Sequence, residues 1–255
     1  ILAYPTASIS ATGGVRRFFN NRVAHIFESS GTFSVSGTKT YNHNTLDIFG
    51  DSSCIALYNF DGNANDTGGN YNGTASNITY NQGYINDGAV FNGSSSVITL
   101  PSTLSDGSTT DATCISFWFN VGAEVTSATS NNEIMNFAQS SGNFGKIALG
   151  STTGNFGSET FSVTSDVTSQ YTYSTTNIPA GWNHAVVQWN SSTTKWDIYI
   201  NSSQHSTSTF GTNEQGKWAL KFGNRSSFYY SGKLDQIRIF SKTLSTAEIT
   251  TLYEE

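Results

Sequence analysis

Ile115-Ser116-Phe117-Trp118-Phe119 places Ile115, Phe117 and Phe119 on one side of an extended chain and Ser116 and Trp118 on the other. This period-two pattern is that of a strand with one face in a core. The alternation recurs further on, where Ile198 and Ile200 oppose Asp197 and Tyr199. Working outward, strands are predicted at Cys54–Asp61, Ala89–Phe91, Val97–Leu100, Cys114–Val121, Glu133–Ala138, Lys146–Leu149, Thr160–Thr164, Gln170–Thr175, Asn183–Asn190, Lys195–Asn201, Trp218–Phe222 and Lys233–Phe240. Turn formers separate nearly all of them: Asp61-Gly62, Asn72-Gly73, Asn92-Gly93, Ser141-Gly142 and Pro179-Ala180-Gly181. Many short strands punctuated in this way predict an all-β fold of two antiparallel sheets packed face to face.

One helix is predicted at the end. Ser245-Thr246-Ala247-Glu248 reads as a capping box, and Ile249, Leu252 and Tyr253 follow at helical spacing. Residues 1–53 read as a separate β extension. Arg22–Phe27 and Thr32–Ser36 flank the turn Glu28-Ser29-Ser30-Gly31 as a hairpin, and a single hairpin must pack on a larger body to be stable. Residues 54–255 form the main domain.

Composition narrows the function classes. Charged residues are 12% of the 255, about half the ~25% of an average soluble domain. Aromatics at 13% supply a packed core, which sets the chain apart from disordered ones. The net charge is -6, and the densest basic group is Arg16, Arg17 and Arg22. This is no footprint for a nucleic-acid backbone. No apolar run reaches the ~18 residues of a membrane span, and the start, Ile1-Leu2-Ala3-Tyr4-Pro5, has neither the basic nor the apolar region of a signal peptide. Starting without Met, the chain reads as processed or as part of something longer. Cys54 and Cys114 read as small buried thiols, or as a pair if their strands lie side by side; the sequence leaves that open.

The order of motifs carries a resemblance. Leu57-Tyr58-Asn59-Phe60-Asp61-Gly62-Asn63 comes first, then Gly88-Ala89-Val90-Phe91-Asn92-Gly93 and Ile115-Ser116-Phe117-Trp118-Phe119. Gly181-Trp182-Asn183-His184-Ala185-Val186-Val187 and Gly232-Lys233-Leu234-Asp235-Gln236-Ile237-Arg238-Ile239-Phe240 follow, and Leu244-Ser245-Thr246-Ala247-Glu248-Ile249 closes the series. It resembles the concanavalin A-like, laminin-G-like jelly-roll family over about four-fifths of the chain. Asn201-Ser202 departs from the family's usual Asn-Gly. The hairpin around Ala24–Val35 is similar to a short segment of bacteriophage particle proteins.

The resemblance implies one structural calcium, held by Asp235 with the turn residues Asp61, Asn63 and Asp66. Calcium takes six to eight oxygens, which an Asp- and Asn-rich turn beside a strand Asp supplies. The competing reading gives Asp61 and Asp66 to Asx turns, and Asp235 to Arg238 or a backbone amide. Glycan binding calls for aromatic platforms with amides beside them. Three groups qualify: Phe156 with Asn155; Tyr171 with Tyr173; and Phe228, Tyr229 and Tyr230 with Asn224 and Arg225. Three consecutive aromatics in a polar loop are expected to leave some of their surface exposed.

Glycoside hydrolysis requires two facing carboxylates. The strand Glu133-Ile134-Met135-Asn136-Phe137 has one, and Glu124, Glu159, Asp166 and Glu214 are scattered over predicted loops. None of His25, His43, His184 and His205 shows metal-ligand spacing. The expectation is therefore a non-catalytic structural or adhesion protein of a virion surface, lectin-like in its domain and homo-oligomeric, with glycans or other particle proteins as partners. A carbohydrate-binding module of a secreted bacterial protein is the alternative, and a glycan-cleaving enzyme using Glu133 or Asp166 comes third.

Overall fold

The computed structural model describes residues 2–5, 11–12, 15–19, 22–26, 34–35, 43–105, 113–121, 132–138, 144–149, 161–164, 178–190, 192–193, 195–205, 221–225 and 228–255. The N-terminal segment carries β1 (Leu2–Pro5), β2 (Ala11–Thr12), β3 (Val15–Phe19), β4 (Arg22–Ile26) and β5 (Ser34–Val35). Next come β6 (Cys54–Tyr58), β7 (Thr74–Ser76), β8 (Thr79–Tyr80), β9 (Ala89–Asn92), β10 (Val97–Thr99), β11 (Cys114–Val121), β12 (Asn132–Ala138), β13 (Phe144–Leu149) and β14 (Phe161–Thr164). The last are β15 (Gly181–Asn190), β16 (Lys195–Ile200), β17 (Ser203–His205), β18 (Lys221–Phe222), β19 (Asn224–Arg225), β20 (Phe228–Tyr229), β21 (Ser231–Phe240) and the helix α1 (Thr246–Glu254).

Two antiparallel sheets make the sandwich, as the alternation requires. One has eight strands: β17-β16-β15-β11-β21-β9-β8 in order, with β6 also on β21. The other has six, β14-β13-β12-β18-β10-β7. Ile115, Phe117 and Phe119 of β11 are fully buried and share one core with Ile98, Ile134, Met135, Ile147 and Phe222 of the facing sheet. Each such side chain contributes about 1.5–3 kcal/mol by leaving water.

The outer side of the eight-stranded sheet is closed too. Cys54, Cys114, Val186, Tyr199 and Phe240 lie under Leu244, Ile249 and Leu252 of the C-terminal segment. Trp118 stacks on Tyr84 at 3.5 Å and on Tyr253 at 5.8 Å between ring centroids. The capping box forms as the sequence predicts: Ser245 Oγ accepts from Glu248 N, and Glu248 Oε2 accepts from Ser245 N. The six-stranded sheet differs, because Thr74, Ser76 and Thr99 on its outward side are exposed.

Several expectations change. β4 pairs with β3 and β1, whereas β5 pairs with β2, so 22–27 and 32–36 do not form the expected hairpin. Only Asn20 and Asn21 separate β3 from β4 in sequence, and a two-residue link rich in Asn favours the nearer partner. The first strand of the sandwich stops at Tyr58 because Phe60 takes φ 57°, which swings the chain into the Asp61 turn. The exposed strands β7, β8 and β17 carry little apolar alternation and went unpredicted. The strand expected at Gln170–Thr175 lies outside the described residues.

Cys54 and Cys114 are the partners of Phe240 on its two sides. Two strand spacings, about 9.6 Å, exceed the ~7 Å reach of a disulfide, and both thiols are free and buried. Among the described residues, no helix is long and apolar enough to cross a membrane.

Candidate functional site

The residues expected to hold calcium divide into two groups. Asp66 is buried, and backbone amides take both its oxygens. Oδ1 accepts from Leu57 N at 2.9 Å and Gly68 N at 3.0 Å; Oδ2 accepts from Asn70 N at 3.1 Å and Tyr71 N at 3.2 Å. Asp66 thus ties the 66–71 turn to β6. Asn63 stays within its own turn, its Oδ1 accepting from Asn65 N at 2.8 Å. Asp66 and Asn63 thus each hold backbone amides of the turn, while Asp61 and Asp235 hold another loop.

Asp61 and Asp235 do approach one place, the loop 81–88. Asp61 Oδ1 accepts from Asp87 N at 3.2 Å, and Asp235 Oδ2 accepts from Ile85 N at 2.9 Å. Asp235 Oδ1 accepts from Gln236 N at 2.7 Å. Burial pushes Asp235 well above the ordinary carboxylate range, the amides of Ile85, Gln236 and Tyr84 pull it back, and the charge of Asp61 raises it further. The loop passes so close that a Cβ on Gly83 would lie 2.5 Å from Asp235 Oδ2 and from the Asp87 carbonyl oxygen. Two carboxylates at one loop fit a cation by charge. Among the described residues, no three His, Cys, Asp or Glu side chains are placed to hold a metal ion together, so further oxygens for a calcium would have to be backbone carbonyls or water.

The aromatic group also divides. Phe228 and Tyr229 form β20, a hairpin with β19 in which Asn224 faces Tyr229 and Arg225 faces Phe228. Both aromatics are half-buried. Tyr230 is fully buried, so it is no ligand platform. Its hydroxyl reaches the Asn120 and Lys233 carbonyls, each at 3.3 Å, and its ring packs on Phe91. The reason is local: the chain crosses from one sheet to the other here, with Tyr230 N bonded to Gly223 O at 2.8 Å. Gly223 turns at φ +87°, and a Cβ there would strike the Phe91 ring at 2.2 Å. Asn224 is buried, and its Nδ2 donates to Phe228 O at 3.4 Å, closing the hairpin. Tyr171, Tyr173, Asn155, Phe156 and Asp166 lie outside the described residues.

The β19–β20 hairpin lies against β12, and β12 carries what the sequence reading missed. Met135 pairs with Phe222 on the core side, so the adjacent pair, Asn136 and Lys221, faces outward. Beyond Lys221 the register continues to Thr99 and then Thr74, both exposed. A polar row therefore crosses four strands. At its inner end Asn136 is 8% exposed, and its Oδ1 is buried with no hydrogen-bond partner. Buried amide oxygens are almost always paired, so this one marks a place where a donor belongs. Glu133 lies on the same strand, fully buried and engaged within the protein. It is the one acidic residue in the six strands of this sheet. The expected strands contained Asn136 and Lys221, but nothing in the sequence shows which strands are neighbours.

The profile of the concanavalin A-like lectin/glucanase superfamily matches residues 91–250. The chain belongs to this superfamily. No curated protein sequence matches it. Among solved structures it is similar to domain 4 of AbnA, a GH43 extracellular arabinanase from Geobacillus stearothermophilus, in complex with arabinotriose. That similarity has 22% identity and a TM-score of 0.59, covering 79% of this chain and 98% of that domain. It is also similar to the binding domain of Botulinum neurotoxin DC in complex with rat synaptotagmin II, at 16% identity and TM-score 0.57, covering 79% of this chain and 51% of that one. A third is a Trypanosoma rangeli sialidase, at 9% identity and TM-score 0.58, covering 79% of this chain and 32% of that one. The chain thus spans about half of the toxin domain and a third of the sialidase. At these identities the likeness carries the jelly-roll fold, which serves binding domains and enzymes alike.

Proposed function

We propose that this superfamily member is a non-catalytic adhesion protein that binds glycans on the outer face of its six-stranded sheet, at Asn136. The observation that carries this reading is the unpartnered, buried Asn136 Oδ1 at the end of an exposed polar row. A sugar hydroxyl supplies the donor that the carbonyl lacks. The half-buried Phe228 and Tyr229, on a hairpin against β12, offer apolar surface to a sugar ring. Glu133 is the one acidic residue in the described strands of this sheet, which favours a non-catalytic role for this face because glycoside hydrolysis uses a pair.

The placement we favour is a virion surface, on the strength of the N-terminal segment, with residues 1–53 anchoring or oligomerising the chain so that many weak sites act together. The full-length match to an arabinanase domain favours a second placement, as a carbohydrate-binding module of a secreted bacterial protein. Calcium enters the proposal as a fastener at Asp61 and Asp235, remote from any chemistry.

A broad glycan array tests the reading. Wild-type protein is expected to bind a defined group of glycans, and folded Asn136→Ala is expected to lose them. Silence of the wild type across the array overturns the glycan reading in favour of a protein-contact role.

A further inference from the structure

We infer that the glycan taken by this face is acidic, with Lys221 binding a sugar carboxylate beside the hydroxyl accepted by Asn136. The inference rests on the reading of Asn136 as a glycan site and names the class of sugar.

Asn136 has a lysine at each neighbouring register position, Lys221 in β18 and Lys146 in β13. Lys221 is half-buried, and among the described residues it makes no ion pair. A lysine without an ion-pair partner among the described residues and a buried carbonyl without a donor thus occupy adjacent positions on one face. One ligand satisfies both if it carries a hydroxyl and an anion a few ångströms apart, as a uronic acid does. A neutral sugar would satisfy Asn136 and leave Lys221 as it is.

The local charge agrees. The whole chain is at -6, which repels anions. The strands of this sheet reverse that balance, with Lys146 and Lys221 against Glu133 alone. Glu133 has no exposed surface and is engaged within the protein, so it presents no charge directly to a ligand. An ammonium–carboxylate bond is charge-assisted and strengthens as water is excluded.

Titration calorimetry of the full chain with an oligouronate and with its carboxyl-reduced counterpart tests the proposal. The oligouronate is expected to bind about tenfold more tightly, the effect of one charge-assisted bond. Lys221→Gln should abolish that preference, so that the two sugars bind alike. Lys221→Arg should keep it, which separates the charge from the fold. Equal affinity for the two sugars, with binding still lost in Asn136→Ala, overturns the acidic specificity and leaves the glycan site standing. A preference that survives Lys221→Gln also overturns the inference, because the anion is then bound elsewhere. Binding of neither sugar defeats this inference, and only silence on the broad array defeats the glycan reading with it.

Discussion

Asp61 and Asp235 hold the same loop by different stretches of its backbone, Asp61 at Asp87 N and Asp235 at Ile85 N. They come from the turn after β6 and from β21, so the loop 81–88 links the first and last strands of the sandwich. The charge of Asp61 opposes ionisation of Asp235, and neither carboxylate pairs with Lys or Arg among the described residues. A divalent cation between them would relieve that repulsion. Calcium is therefore expected to raise the melting temperature and chelator to lower it, with the response lost in Asp61→Asn and in Asp235→Asn. Asp66→Ala should lower stability by about 2–4 kcal/mol with or without calcium, because it deprives four amides of their acceptor. Scanning fluorimetry of these variants separates a metal ligand from a turn staple; an Asp66 variant that alone loses the calcium response would reverse the assignment.

The two thiols are expected to be inert in the folded protein. Burial pushes Cys54 up to about 12 and Cys114 well above its ordinary value. At pH 8 a disulfide reagent should titrate neither thiol until guanidinium is added, and then both. The sign for stability follows from the same shift. The unfolded chain gives up the Cys54 proton near the ordinary value of 9.0, whereas the folded chain keeps it to about 12. The contribution of Cys54 to stability is full below pH 9 and is lost as pH rises through that window. Cys54→Ala should flatten part of the decline in alkaline denaturation curves.

The three consecutive aromatics should separate cleanly by substitution. Tyr230→Ala removes a fully buried ring and is expected to cost about 3–5 kcal/mol in guanidinium denaturation. Tyr230→Phe, which removes only the hydroxyl from two carbonyls, should cost about 1 kcal/mol. Phe228→Ala and Tyr229→Ala should leave stability within about 1 kcal/mol and weaken glycan binding. A binding loss seen only in Tyr230→Ala would report misfolding and tell against the hairpin as a sugar platform.

The sheets were legible in the sequence because burial of one face imposes a period of two, as Ile115, Phe117 and Phe119 show. Helix α1 was legible because its cap is local: Ser245 and Glu248 are three residues apart. Pairing is not local, and there the reading failed. β4 found β3 in place of β5, and Asn136 gained its lysine neighbours only through pairing with β13 and β18. Asp66 and Asp61 look alike in a sequence, since an Asp in a polar turn suits amides as well as cations. Only the positions of Leu57 N, Gly68 N, Asn70 N and Tyr71 N assign Asp66 to the amides. Tyr230 turned inward where the chain changes sheets, a crossing that no local pattern marks.

Asn136 and Asn132 offer the sharpest test, because they share a strand and differ in what they hold. Asn132 Oδ1 accepts from Ser231 N at 2.7 Å, so Asn132→Ala strands a backbone donor and should cost about 1–3 kcal/mol. Asn136 Oδ1 holds nothing. Asn136→Ala removes a buried group that has no partner, so stability should stay within about 1 kcal/mol of wild type or rise. Glycan affinity should fall at least about tenfold, as for loss of one buried hydrogen bond to ligand. Stability retained while binding is lost is the signature of a residue kept for a ligand. If Asn136→Ala instead destabilises the protein as much as Asn132→Ala does, the carbonyl serves the fold, and the binding site must be sought on another face of the jelly roll.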